Sequence, residues 1–157
     1  MHTAAASERT PARRPVAVAA VLALAVLSLG CQVALVAPYD QETFDKGTDL
    51  LRRIESLFVK MERALETAAL SEDAKYEKHV GFYDDVRVDL AVLRSRAQAI
   101  PQNEDTVKLL DVLAGQFADL DRLHRIGLNR NLLADTRNAI KRTIEQILRT
   151  EFAKRRR

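Results

Sequence analysis

Residues 40–67 read DQETFDKGTDLLRRIESLFVKMERALET, and within them Phe44, Leu51, Ile54, Phe58, Met61 and Leu65 recur at steps of seven, three and four. Side chains three and four residues apart share one side of a 3.6-residue helix, whereas a half-buried strand needs strict alternation. A long amphipathic helix is the expectation, and its apolar stripe must be covered. Three further stripes follow along the chain. Ser71, with Glu72 and Asp73 behind it, offers a cap and an acidic first turn for a second helix. Its face is Tyr76, Val80, Tyr83, Val86, Leu90, Leu93, Ala97 and Ile100, and Pro101 ends it. Asn103 caps a third helix with Leu110, Leu113, Phe117 and Leu120 facing inward. Arg125 stands in its last turn and Gly127 serves as a left-handed C-cap. A fourth helix runs from about Asn131 to Ala153 with Leu133, Ile140, Ile144, Ile147 and Leu148 on one face.

Short links between helices make sequential neighbours antiparallel. The expected fold is therefore all-α, an up-down-up-down four-helix bundle over residues 40–153. Phe58, Leu90, Phe117 and Ile147 occupy the centres of the four stripes and should be buried. A three-helix packing with the first segment splayed away is the alternative. Ahead of the bundle the expectation is an N-terminal apolar signal or anchor segment (1–31) and a linker (32–39); behind it lies a basic tail (154–157).

Cys31 is the only cysteine, so no disulfide framework supports the fold. It closes an apolar run, Val16 to Leu29, that is led by Arg9, Arg13 and Arg14, and Gly30 precedes it. This pattern predicts a lipoprotein-type signal with lipid attached at Cys31. Leu27-Ser28-Leu29-Gly30-Cys31 carries one residue more than the usual Leu-(Ala/Ser)-(Gly/Ala)-Cys pattern. The apolar run also resumes after Gln32, and at about 1.5 Å per residue Val16 to Ala37 is long enough for a hydrocarbon core of about 30 Å. An uncleaved transmembrane helix and an ordinary cleaved signal therefore stay open beside the lipid anchor. All three carry the rest of the chain across the membrane, because the arginines precede the apolar run. Arg13-Arg14 is followed by Pro15-Val16-Ala17 and by nothing else of a twin-arginine signal. The expected location is the bacterial cell envelope, on its extracytoplasmic side. Gln32 after the cysteine points to the outer membrane if the source has one.

The charge balance belongs to the two ends. The whole chain has 25 basic and 22 acidic residues, but between Cys31 and Lys154 there are 18 against 21. Nucleic-acid binding would need a basic face rather than a terminal run, and is not expected. Lys154-Arg155-Arg156-Arg157 reads as a solvated tail or as a contact for anionic lipid or wall polymer.

Several stretches together resemble a group of small bacterial lipoproteins without assigned function: Ala37-Pro38-Tyr39-Asp40, Phe82 through Leu90, Leu93-Arg94-Ser95-Arg96-Ala97, Asn103-Glu104-Asp105-Thr106 and Ile147 through Arg155. The resemblance covers the mature chain and implies an exported helical lipoprotein. It carries no catalytic motif and implies no chemistry.

Candidate sites are few. Tyr83, Arg87, Leu90, Arg94 and Ala97 share one stripe, so Arg87 and Arg94 should flank or penetrate the apolar seam, where a guanidinium needs a carboxylate. Asp40 or Asp45 from the first helix, or Glu151 from the fourth, are the expected partners. The cluster is then either an ion pair that sets helix register or a polar groove for an anionic ligand. Asp121 and His124 stand three residues apart, half of a bundle metal site, but His79 has no carboxylate at that spacing and the second half is missing. His124 is expected to be an ordinary last-turn histidine. There is no Cys-x-x-Cys-His, Met61 with His124 is a poor haem pair, and neither a Gly-x-Ser-x-Gly elbow nor a phosphate loop is present. Asp84-Asp85 and Asp119 with Asp121 read as solvated helix faces. No enzyme and no cofactor are expected. The expected function is a noncatalytic envelope lipoprotein, a helical binding or structural module touching an envelope protein, cell wall or lipid; a small-ligand or metal carrier using the bundle interior is the alternative. A carrier requires an internal cavity, and a contact module requires a filled core with an exposed patch.

Overall fold

The computed structural model describes residues 36–66 and 72–156. The signal segment with Cys31, linker residues 32–35, the expected cap Ser71 and the tail residue Arg157 lie outside the described residues. The body consists of α1 (Gln41–Glu66), α2 (Val80–Ala99), α3 (Glu104–Ile126) and α4 (Arg130–Lys154), with two 3-10 turns, Glu72–Ala74 and Tyr76–Lys78, ahead of α2. Among the described residues there is no strand, and no helix is long and apolar enough to cross a membrane.

α1 packs on α4, α4 on α3 and α3 on α2, while α1 meets α2 more lightly. Bonds between helices fix their directions. Arg137 early in α4 donates to Glu62 late in α1 at 2.7 Å. Thr106 at the start of α3 donates to Glu151 near the end of α4 at 2.9 Å. Tyr83 in the first turn of α2 meets His124 in the last turn of α3, and Arg96 late in α2 reaches Asp40 just ahead of α1. Every neighbouring pair is thus antiparallel, and the molecule is an all-α, up-down-up-down four-helix bundle.

The stripes converge on one core. Phe58, Leu90, Phe117 and Ile147 are 0%, 4%, 5% and 2% exposed. Burying a side chain of that size contributes about 1.5–3 kcal/mol, which is what selects the three-four repeat in all four helices. α1 is rotated from its expected setting. Its buried set is Thr43, Gly47, Leu50, Ile54, Leu57, Phe58, Met61 and Ala64, while Phe44, Leu51 and Leu65 are half-buried. Gly47 explains the rotation: a Cβ there would stand 3.0 Å from Leu148 Cδ2, so the glycine admits the close approach of α4.

The second helix departs from the expectation at its start. A continuous helix from Ser71 is replaced by the two 3-10 turns and by Lys75 in an extended conformation at ψ 136°. The cause is Ala74, whose carbonyl accepts from His124 at 2.8 Å instead of from an amide four residues on. Val80, expected on the inner face, is consequently exposed. α2 ends as expected, with Ile100 extended ahead of Pro101. Asn103 does not cap α3 with its side chain; its Nδ2 donates to the Ala97 carbonyl at 3.1 Å, which ties the end of α2 to the start of α3. Gly127 closes α3 at φ 118°, and α4 is capped by Asn129, whose Oδ1 accepts the Leu132 amide at 3.0 Å.

Candidate functional site

The stripe Tyr83, Arg87, Leu90, Ala91 and Arg94 of α2 faces Leu110, Ala114, Phe117, Ala118 and Asp121 of α3 across an open hollow of about 370 Å³. Leu90, Leu110 and Phe117 are buried and form its floor, and Ala91, Ala114 and Ala118 are too small to fill it. Arg87 and Arg94 flank this groove and do not penetrate the core, with side chains 67% and 42% exposed. Each has its own carboxylate. Arg94 is bonded to Asp111 on α3, and Arg87 donates to Asp84 at 2.9 Å and stands 3.6 Å from Asp121. Such exposed pairs are screened by water and contribute little, so they shape the rim more than they hold the fold.

The expected partners of these arginines are engaged elsewhere. Asp40 is held by Arg96, whose Nε and Nη2 donate at 2.7 and 2.8 Å, and Asp45 accepts from Gln41 at 2.7 Å. Arg94 and Arg96 are two residues apart, about 200° around the helix, so only one of them can face α1. Arg96 does, and Arg94 turns to α3.

Glu151 belongs to a buried polar knot at the end of the bundle where the described chain begins. It is fully buried; its Oε1 accepts from Thr106 at 2.9 Å and from Lys154 Nζ at 2.5 Å, and its Oε2 from the Asp40 amide at 3.3 Å. Lys154 also donates to Asn103 Oδ1 at 2.5 Å and to Thr106 Oγ1 at 3.0 Å. Asp40 accepts from Thr43 at 2.6 Å, and the Arg96 guanidinium beside it holds its carboxyl down to about 2. Residues at one end of all four helices are thereby joined, with almost every donor matched. Arg96, Asn103, Thr106 and Lys154 carry no sequence signal of this role beyond Thr106 and Glu151 continuing the apolar stripes of their helices.

At the opposite end the groove closes on a histidine cluster. Tyr83 Oη lies 2.9 Å from His124 Nδ1, and His124 Nε2 lies 2.8 Å from the Ala74 carbonyl. A carbonyl only accepts, so Nε2 carries the proton, and Nδ1 accepts the Tyr83 hydroxyl. Tyr76 stacks on Tyr83 at 5.8 Å, and His79 lies 5.4 Å from the His124 ring. Arg125 bridges Tyr76 Oη at 2.9 Å and Asp121 Oδ2 at 3.1 Å. His124 is therefore not an ordinary last-turn residue; it is 5% exposed and ties the turn before α2 to the end of α3. His124 is engaged by Tyr83 and Ala74, and Asp121 by Arg125 through Oδ2, while Asp121 Oδ1 is buried without a hydrogen-bond partner. Among the described residues no group of three His, Cys, Asp or Glu side chains is placed to hold a metal ion.

Burial pushes the His124 imidazole below its ordinary 6.5, outweighing the Ala74 bond, with His79 pushing the same way and Asp121 and Glu77 opposing. The unfolded chain takes up a proton that the folded chain refuses, so this group's contribution is complete above about pH 6.5 and declines as the pH falls. The urea midpoint should drop between about pH 7 and pH 5, with a slope of at most about 1.4 kcal/mol per pH unit, and His124→Gln should flatten it. An undiminished slope in the variant would assign the effect to other groups.

In comparisons with known proteins, no family model matches the chain, and no curated protein or solved structure matches it.

Proposed function

We propose that this chain is a noncatalytic, lipid-tethered module of the bacterial cell envelope whose bundle works by contact, with the α2–α3 groove receiving a partner. The groove is the observation that carries the contact reading. It is an open, apolar-floored depression edged by small residues and by ion pairs already neutral in themselves, which suits a close-approaching helix or peptide better than a small charged substrate. The core cluster supports the same conclusion, since its side chains are no more than 5% exposed and the groove opens outward from its edge at Leu90, Leu110 and Phe117. The arginine-led apolar run ending at Gly30-Cys31, and the resemblance to exported helical lipoproteins, support the tether and the extracytoplasmic location, the outer membrane in a diderm source. A small apolar ligand in the same groove is the second reading, because about 370 Å³ falls within the range of small-molecule sites.

The test is made in the native bacterial host with a photo-crosslinking side chain at Ala91 or Ala114, and at Lys141 on the exposed face of α4 as control. An alkyne fatty acid reports the tether in the same cells. The expected result is lipid label on the wild type and none on Cys31→Ser, with a discrete protein adduct from the two groove positions alone. Equal label in both chains defeats the lipid tether, and equal adducts from all three positions defeat the groove. An adduct of small-molecule mass favours the second reading.

A further inference from the structure

We propose that the end of the bundle formed by Val36, Tyr39, Phe152, Arg155 and Arg156 is a membrane-facing collar that seats on anionic phospholipid headgroups. This deepens the tethered-module reading and rests on it for the orientation of the bundle. The described chain enters at Val36 and leaves at Arg156, and Arg155 lies over the Tyr39 ring at 5.8 Å, so entry and exit share one corner between α1 and α4. Arg156 lies over the Phe152 ring at 4.8 Å, and Val36 and Phe152 are 38% and 42% exposed. Cations resting on aromatic rings, with apolar side chains uncovered beside them, match the interfacial layer, where rings sit at headgroup depth and guanidinium groups meet phosphate.

The acids at this end are in part taken up by neighbouring cations, one arginine holding two of them. Asp40 and Glu42 are taken by Arg96, and Glu151 by Lys154. Glu104 and Asp105 stand at the same end in the first turn of α3, where Asp105 lies 3.7 Å from Lys108. Arg157 adds a third consecutive arginine in the sequence. Distance decides the occupant. Val36 lies five residue steps after Cys31, and a chain of that length reaches at most about 18 Å. A lipid on Cys31 therefore keeps the collar beside the headgroups, whereas the far end of a 25-residue helix stands about 37 Å away. Each arginine brought to an anionic surface adds an attraction that salt screens.

The chain contains no tryptophan, so Phe152→Trp provides a single indole at the collar and Ile126→Trp one at the opposite end. Full-length protein purified from its bacterial host is mixed with brominated vesicles of phosphatidylcholine alone or with about 30% phosphatidylglycerol, an anionic content of physiological order. Flotation with neutral vesicles reads the tether alone. The expected result is quenching of the collar indole several-fold stronger on anionic vesicles, reduced by salt and by Arg155→Glu with Arg156→Glu, and little quenching of the indole at residue 126. If the chain fails to float on neutral vesicles, the tether has failed but the collar is still tested. Flotation on anionic vesicles that is lost with the two glutamate substitutions then supports it, and no flotation overturns it. Quenching independent of lipid charge, or equal for both indoles, gives the face to another occupant, a protein or an anionic wall polymer, and overturns the proposal.

Discussion

Glu151→Ala should destabilise the bundle by about 3–5 kcal/mol, the cost of breaking a buried ion pair by removing one member. The substitution leaves Lys154, whose side chain is 6% exposed, without its carboxylate. It also strips the Thr106 hydroxyl and the Asp40 amide of their acceptor. Because unmatched buried polar groups cost more than the original bonds contribute, the loss should exceed that of an average core truncation per atom removed. Replacing both members, Glu151→Leu with Lys154→Leu, should recover much of the stability by substituting apolar packing for the pair. Urea unfolding of a shortened form beginning at Val36 measures both. A Glu151→Ala midpoint equal to wild type would mean that the knot is solvated and carries no energy.

Phe58→Ala should cost about 3–5 kcal/mol, since the ring is fully buried at the centre of α1 and its removal leaves a cavity that rigid neighbours cannot close. Leu90→Ala, Phe117→Ala and Ile147→Ala should each cost about 2–5 kcal/mol for the same reason. In a body of this size that corresponds to a fall of roughly 10 °C or more in the melting temperature. Any one of the four melting with the wild type would show that its stripe does not reach the common core.

Helix number, helix order and the buried centres are legible in the sequence, because covering one side of a helix imposes the same three-four repeat wherever it occurs. The rotation of α1 is not. Phe44 with Leu51 and Thr43 with Leu50 satisfy the repeat equally well, and the choice falls to Gly47, whose missing side chain lets Leu148 approach from α4. The start of α2 is hidden for a similar reason. Ser71-Glu72-Asp73 has the composition of a helix start, yet the backbone there answers to His124, 50 residues from Ala74.

The groove is legible in part. The stripe holding Arg87 and Arg94 points to the right face of α2, but a carboxylate partner depends on which helix lies alongside, so Asp111 and Asp121 take the place of Asp40, Asp45 and Glu151. Arg96, the true partner of Asp40, stands two positions from Arg94 and is invisible to a search along one stripe. His124 continues the spacing of Leu113, Phe117 and Leu120, a signal that it is buried, although nothing local reveals that it braces a turn.

The knot around Asp40 has a mechanical side. Any load that enters the bundle through residue 36 arrives at Asp40 before it reaches α1. There the side chain is gripped by Arg96 of α2 and the amide by Glu151 of α4, which in turn holds Thr106 of α3. A pull on the leading strand is therefore divided among four helices at its first foothold, instead of peeling α1 turn by turn from its end. The groove between α2 and α3 lies outside that line of force, so a pull on residue 36 does not load it directly.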